Sequence, residues 1–236
     1  MLSESNIYKK IFNKNEFLHI FICCNTSKIN YMKILLAISF ISISFLSFSQ
    51  IEKKSEIILT CEYLLDNSEI NDILQFEGIE YIKLSFKGKE LADKSYHLSV
   101  KEIWEGKIKS QSTIMDSKTI QFKQLQKIND TVFNLKVISK LTSDNKLKMD
   151  FKFPSFSLSR KFDALKSDDY SLRNFAESSG TEIKYGKKFY LLAYILPYEK
   201  DGTKYYCAVE SSGKDIENWG KYFGIKHYLI FEMKFE

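Results

Sequence analysis

Proline, glycine, histidine and arginine are all scarce in this 236-residue chain: two Pro, nine Gly and three His, with Arg only at Arg160 and Arg173. So little proline and glycine excludes collagen-like repeats and proline-rich linkers, and it leaves no Gly-rich loop to cradle phosphate. No His-x-x-x-His, Cys-x-x-Cys or EF-hand spacing occurs, so neither a metal site nor any cofactor is expected. A Gly-x-Ser-x-Gly nucleophile elbow is also missing. The near-absence of Arg, the residue best suited to bidentate phosphate and guanine contacts, argues against nucleic acid. The apolar run over 34–48 has 15 residues, short of the roughly 18–20 that a spanning helix needs.

What is present is ordinary globular composition, 44% hydrophobic and 28% charged, with ample length for a packed core. The chain divides unevenly. Met32-Lys33, the serine-interrupted apolar run that follows, and Ser47-Phe48-Ser49 have the layout of a secretory signal peptide over 32–49, cleaved between Ser49 and Gln50. The Met-Lys start and Ser-Phe-Ser-Gln finish resemble export signals of AT-rich Gram-negative bacteria. Residues 1–31 then read as an extension ahead of the true start at Met32, or as a long n-region kept positive by Lys9, Lys10, Lys14 and Lys28. The expected product is one exported β-rich domain over 50–236, periplasmic or extracellular, with membrane contact only during export. Removing the leader takes five Lys and two Glu with it, so the domain is nearly neutral and its net charge points to no partner.

Period-two alternation dominates the domain. Strands are expected over 79–86, 95–104, 131–141, 146–153, 156–162 and 228–235, with a hairpin turn at 142–145. A second hairpin is expected between 187–198 and 204–210, with Asp201-Gly202 at its tip. Helices are expected over 68–76, after Asp169 and after Asp215, and 57–65 fits either period. Many short strands without regular strand–helix alternation predict a mainly β fold, an antiparallel two-sheet β-sandwich with a few short helical connections.

Chemistry-bearing residues are few. Glu102 and Glu105 flank Trp104, and two carboxylates at suitable separation could serve glycoside hydrolysis, with His97 on the strand leading into them. Ordinary solvated surface explains the same three residues. Tyr198, Tyr205, Tyr206 and Trp219 are candidate stacking surfaces for a glycan if they are partly exposed, and core residues otherwise. Cys61 and Cys207 form a disulfide or stay as two buried thiols. The leading expectation is a non-catalytic domain that binds an envelope protein or glycan, or supports the cell envelope. The alternatives are a glycan-active hydrolase using Glu102 and Glu105, and a small outer-membrane β-barrel.

Overall fold

Alternating apolar and polar side chains build two antiparallel sheets in the computed structural model, which describes residues 57–206 and 215–236. The first sheet runs in the order β1 (Ile58–Glu62), β2 (Glu80–Lys87), β5 (Val132–Leu141), β6 (Lys146–Lys152), β7 (Ser157–Asp163). The second runs β4 (Lys107–Asp116), β3 (Tyr96–Trp104), β12 (His227–Phe235), β9 (Phe189–Ile195), β8 (Ser171–Asn174). A two-stranded ribbon, β10 (Tyr198–Lys200) and β11 (Thr203–Tyr205), stands apart from both. Helices are short: α1 (Ser68–Phe76), α2 (Phe175–Ser178) and α3 (Trp219–Phe223). The mainly β sandwich expected from the pattern is therefore present. Each sheet keeps two edges, β1 and β7 in one and β4 and β8 in the other, so the described residues do not close into a barrel and that alternative falls. The leader expected over 1–49, and Cys207, lie outside the described residues.

The inner faces meet in one core. Ile82, Leu84 and Phe86 of β2, Phe133, Leu135 and Val137 of β5, and Leu147, Met149 and Phe151 of β6 are all buried. Across the interface, Phe151 meets Phe231 at 5.5 Å between ring centroids and Phe86 meets Phe235 at 5.1 Å, edge-on, geometries that aromatic quadrupoles favour. The two open sides are tied by side chains. On one, Arg160 of β7 donates to the Ile114 carbonyl of β4 and Lys109 reaches Asp163 at 3.3 Å. On the other, the Glu80 carboxylate of β2 accepts from the Leu172 amide (2.7 Å) and Ser171 hydroxyl (3.0 Å) of β8. There too, the Asn174 amide donates to Cys61 Sγ. Among the described residues Cys61 is a free thiol, and its side chain is engaged by Asn174. Burial, reinforced by Glu177, pushes that thiol far above its usual range, which makes it a poor nucleophile.

β12 is buried on both faces along nearly its whole length, so its outward side chains need a cover of their own. Residues 216–223 supply it. Tyr228 accepts from the Gly220 amide and donates to the Ile216 and Glu217 carbonyls, while Trp219 packs on Phe175. Lys101 of β3 bonds Glu232 (2.9 Å) and Glu217 beneath this cover, and its ammonium holds the Glu217 carboxyl below the usual carboxylate range. The cover lies flush because glycine meets glycine. A Cβ on Gly220 would sit 2.5 Å from the Gly106 nitrogen, in the β3–β4 turn.

Three expectations are corrected. The strand expected over 187–198 breaks at Leu196-Pro197; its first part pairs with β12 and β8, and only its last residues form the ribbon around Asp201-Gly202. The helix expected after Asp169 is strand β8 followed by the single turn α2, whose N-cap is Asn174. Strand β4 was not expected, because its apolar positions are displaced by two bulges, at Lys109 and Ile114.

Substituting Gly220→Ala is expected to lower the unfolding free energy by about 1–3 kcal/mol, the usual range for forced overpacking, in urea denaturation monitored by tryptophan fluorescence. An unchanged midpoint would show that the cover shifts freely.

Candidate functional site

α1 is well specified locally yet poorly buried. Asn67 caps it, accepting from the Ile70 amide at 3.2 Å, and Glu69 lies in the first turn, where the helix dipole favours an acid. Asn71 clamps the incoming chain by bonding both the amide and the carbonyl of Leu65. At the far end Gly78, at φ +60°, allows Ile79 to donate to Leu74 and Gly78 to Gln75, the Schellman arrangement. Despite this, no residue of the helix is buried. The apolar side expected to face a core instead faces outward, with Ile73 61% and Phe76 89% exposed, beside Leu64 at 70%.

Beneath the helix lies a cleft of about 830 Å³, bounded by Leu64, Phe76, Glu80, Tyr81, Tyr170 and Tyr194. Burial pushes the Glu80 carboxyl above the usual range, against the pull of its bonds from Ser171 and Leu172. Six carboxylates (Glu62, Asp66, Glu69, Asp72, Glu77, Glu80) and no Lys or Arg occur between positions 62 and 82 of an otherwise Lys-rich chain. Lys83 pairs with Glu62 at 3.0 Å and Lys140 with Glu77 at 3.6 Å. The cleft therefore combines uncovered apolar surface and tyrosine rings with carboxylates at Glu77, Glu80 and Asp168, and no Lys or Arg lines it.

Tyr170 connects the cleft wall to a polar group inside the sandwich. Its hydroxyl accepts from the Leu165 amide (3.1 Å) and meets His227 Nδ1 at 2.6 Å. His227 is fully buried, its ring lies 4.1 Å from that of Trp104, and Nε2 faces Glu102 Oε1 at 3.9 Å without a hydrogen bond. Because a carboxylate faces Nε2, the favoured arrangement has the proton on Nε2 and the tyrosine donating to Nδ1. Burial drives the His227 pKa down to about 4, although Glu102 pulls the other way. Glu102 accepts from the Trp104 indole and, at 3.1 Å, from Ser110. The bulge at Lys109 brings its ammonium 4.9 Å over the Trp104 ring.

The residues marked from sequence do not converge. Glu102 points inward and is buried, whereas Glu105 sits exposed in the β3–β4 turn at φ +47°. His97 lies on β3 with Nε2 3.3 Å from the Thr113 hydroxyl. Tyr198 and Tyr205 stack at 5.6 Å on the ribbon, and Tyr198 also packs on Phe223. Tyr206 bonds the Asp169 carbonyl while the Arg173 guanidinium covers its ring at 4.4 Å. Trp219 is only 1% exposed, so of the two readings it takes the core one: its ring is part of the cover over β12. Among the described residues no group of three or more His, Cys, Asp or Glu is placed to hold a metal ion. The His227 group and the α1 cleft are the features that sequence reasoning missed. The clue to the cleft was the base-free acidic stretch; the histidine had none, because its neighbours come from distant strands.

Comparison with protein-family models, with curated proteins and with solved structures found no match to this chain.

His227 gives the domain a defined response to acid. Between its unfolded pKa near 6.5 and its folded value near 4, only the unfolded chain takes up this proton. Stability is thus complete above about pH 6.5, falls as pH drops to 4, and loses nothing further from this group below that. The loss is expected to be about 3 kcal/mol at most. Urea midpoints measured across this range should be markedly flatter for His227→Phe than for the parent; parallel curves would rule out this histidine as the source.

Proposed function

We propose that the chain is an exported, non-catalytic binding domain of the bacterial cell envelope, and that it engages a protein partner through the α1 cleft. The observation that supports this most is the uncovered apolar surface of Leu64, Ile73 and Phe76 beside that cleft. Grouped apolar side chains on a folded surface, rimmed by charge, mark interaction sites. The rim defines the complement: an apolar segment carrying Lys or Arg, drawn in by carboxylates that lack neighbouring cations in sequence. The hydrolase reading has no comparable support. Glu102 is committed to Trp104 and Ser110, and Glu105 stands apart on a turn.

Export is tested by the mass of the chain recovered from the envelope fraction, which should begin at Gln50. Binding is tested by placing a photo-crosslinking side chain at Phe76 or Ile73 and, as a control, at the exposed turn residue Asn145. A discrete adduct at the first two positions and none at the third supports the reading; equal labelling at all three overturns it. Phe76→Asp should weaken capture of the cross-linked partner about tenfold or more, as loss of an interface anchor does. Stability should stay within about 0.5 kcal/mol, as for other exposed positions.

A further inference from the structure

The outer face of the first sheet carries an arrangement that the near-neutral net charge conceals. Register places Lys83 beside Lys136 and Lys136 beside Lys152, so one row of lysines crosses β2, β5 and β6. A second row, Lys140, Lys148 and Lys161, crosses β5, β6 and β7. Like charges directly opposite each other on adjacent strands destabilise a sheet, and here the juxtaposition occurs four times. Carboxylates offset it only in part, Asp150 from between the two rows and the others from around them. Glu62 pairs with Lys83, Glu77 with Lys140, Asp150 with Lys148 at 3.7 Å, and Asp163 with Lys146, while Asp144 lies in the field of Lys161. Lys136, in the middle of the first row, and Lys152, at its β6 end, are exposed and have no ion-pair partner among the described residues.

We infer that this face binds a linear polyanion, an acidic polysaccharide bearing carboxylate or phosphate groups along an extended chain. Adjacent strands are about 4.8 Å apart and alternate residues along a strand about 6.8 Å apart. Each row therefore presents charges at short, regular intervals to a chain laid across the strands. A single small anion would meet one or two solvated ammonium groups and gain little. A nucleic acid is a poorer fit. The rows contain no Arg, the nearby Arg160 is spent on the Ser159 and Ile114 carbonyls, and Tyr81, opposite Ile138 between the rows, is the one ring on this face available to stack on a base. An anionic bilayer is also a poorer fit: Ile138, the large aliphatic side chain between Lys136 and Lys140, is half-buried among them, and the exposed Ile58 belongs to edge strand β1. This inference does not depend on the α1 cleft.

The test is binding of the purified full chain to immobilised polygalacturonate, with neutral dextran as the blank. Retention should fall steeply with added salt. The Lys136→Glu/Lys152→Glu double variant should bind at least about tenfold more weakly, as loss of two cationic contacts implies. Lys123→Glu/Lys127→Glu, which makes the same change in net charge on a loop, should bind like the parent, and so should Phe76→Asp. The double variant should melt close to the parent, since the Lys83–Lys136 contact becomes attractive while the Lys136–Lys152 contact becomes an equally repulsive Glu–Glu one. Should it fail to fold, Lys136→Gln/Lys152→Gln, which removes charge without adding any, is compared in the same way. Equal loss in the loop control would overturn the inference, as would salt-insensitive retention. So would tighter binding to oligo-dT, or to vesicles of equal parts phosphatidylglycerol and phosphatidylcholine. Salt-sensitive self-association that disappears in the double variant would assign the face to a second copy instead.

Discussion

Burial of β12 on both faces is the constraint from which most of this architecture follows. A strand in a two-layer sandwich normally needs apolar partners on one side only, with water on the other. β12 places Leu229, Phe231, Met233 and Phe235 against the opposite sheet, yet Tyr228 and Ile230 on its reverse are just as thoroughly buried. A third layer is therefore obligatory. It is built from the only stretch of chain that runs directly into the strand, residues 216–223, joined by α2 through the Phe175–Trp219 contact. Polar groups trapped under it find partners, Lys101 with Glu217 and Glu232 and Tyr228 with three backbone groups, while Glu232 Oε2 and Ser99 Oγ are left without a hydrogen bond. The Gly106–Gly220 approach, the buried ion pairs and the loss of Trp219 from the surface are all consequences of covering one strand.

That constraint also explains what the sequence did and did not reveal. Strands with one wet face alternate, and β2, β3, β5 and β6 were legible within a residue or two for that reason. The apolar face of β12 was also legible, but not the burial of the other, because Tyr228, Glu232 and Lys234 look like solvent-facing positions until the third layer is known. β8 failed differently. Leu172, Phe175 and Ala176 fit a helical spacing, but Glu80 of another sheet holds the Leu172 amide in an extended edge strand. Tertiary pairing overrides local preference there.

The candidate sites follow the same division. The bounds of helix α1, 68–76, were readable to the residue from the apolar spacing and the glycine beyond it. Its exposure was not, since spacing defines a face without saying what the face meets. Trp219 and His227 were placed by contacts across long sequence separations, and no spacing rule encodes those. The lysine rows are the reverse case. Each strand shows its lysines in sequence, but only the register shows that they are neighbours. The near cancellation of charge over residues 50–236 is then the sum of a positive sheet face and an acidic cleft, and the sum hides both.

The four sheet edges limit what can attach to this domain and how. An open β-sheet ordinarily offers its outermost strand as a template on which another chain can extend the ladder, or on which copies can stack into fibrils. β4 breaks that template twice with bulges, and Glu80 occupies the Leu172 amide of β8. β7 lies beside β4, with Arg160 and Asp163 reaching across the gap. β1 is five residues long and continues into a bridge between Ile57 and Ile183. Backbone-to-backbone recruitment is disfavoured at every edge. Recognition falls to side chains on faces and in clefts, where the identity of each residue, and not merely the presence of a strand, decides what is held.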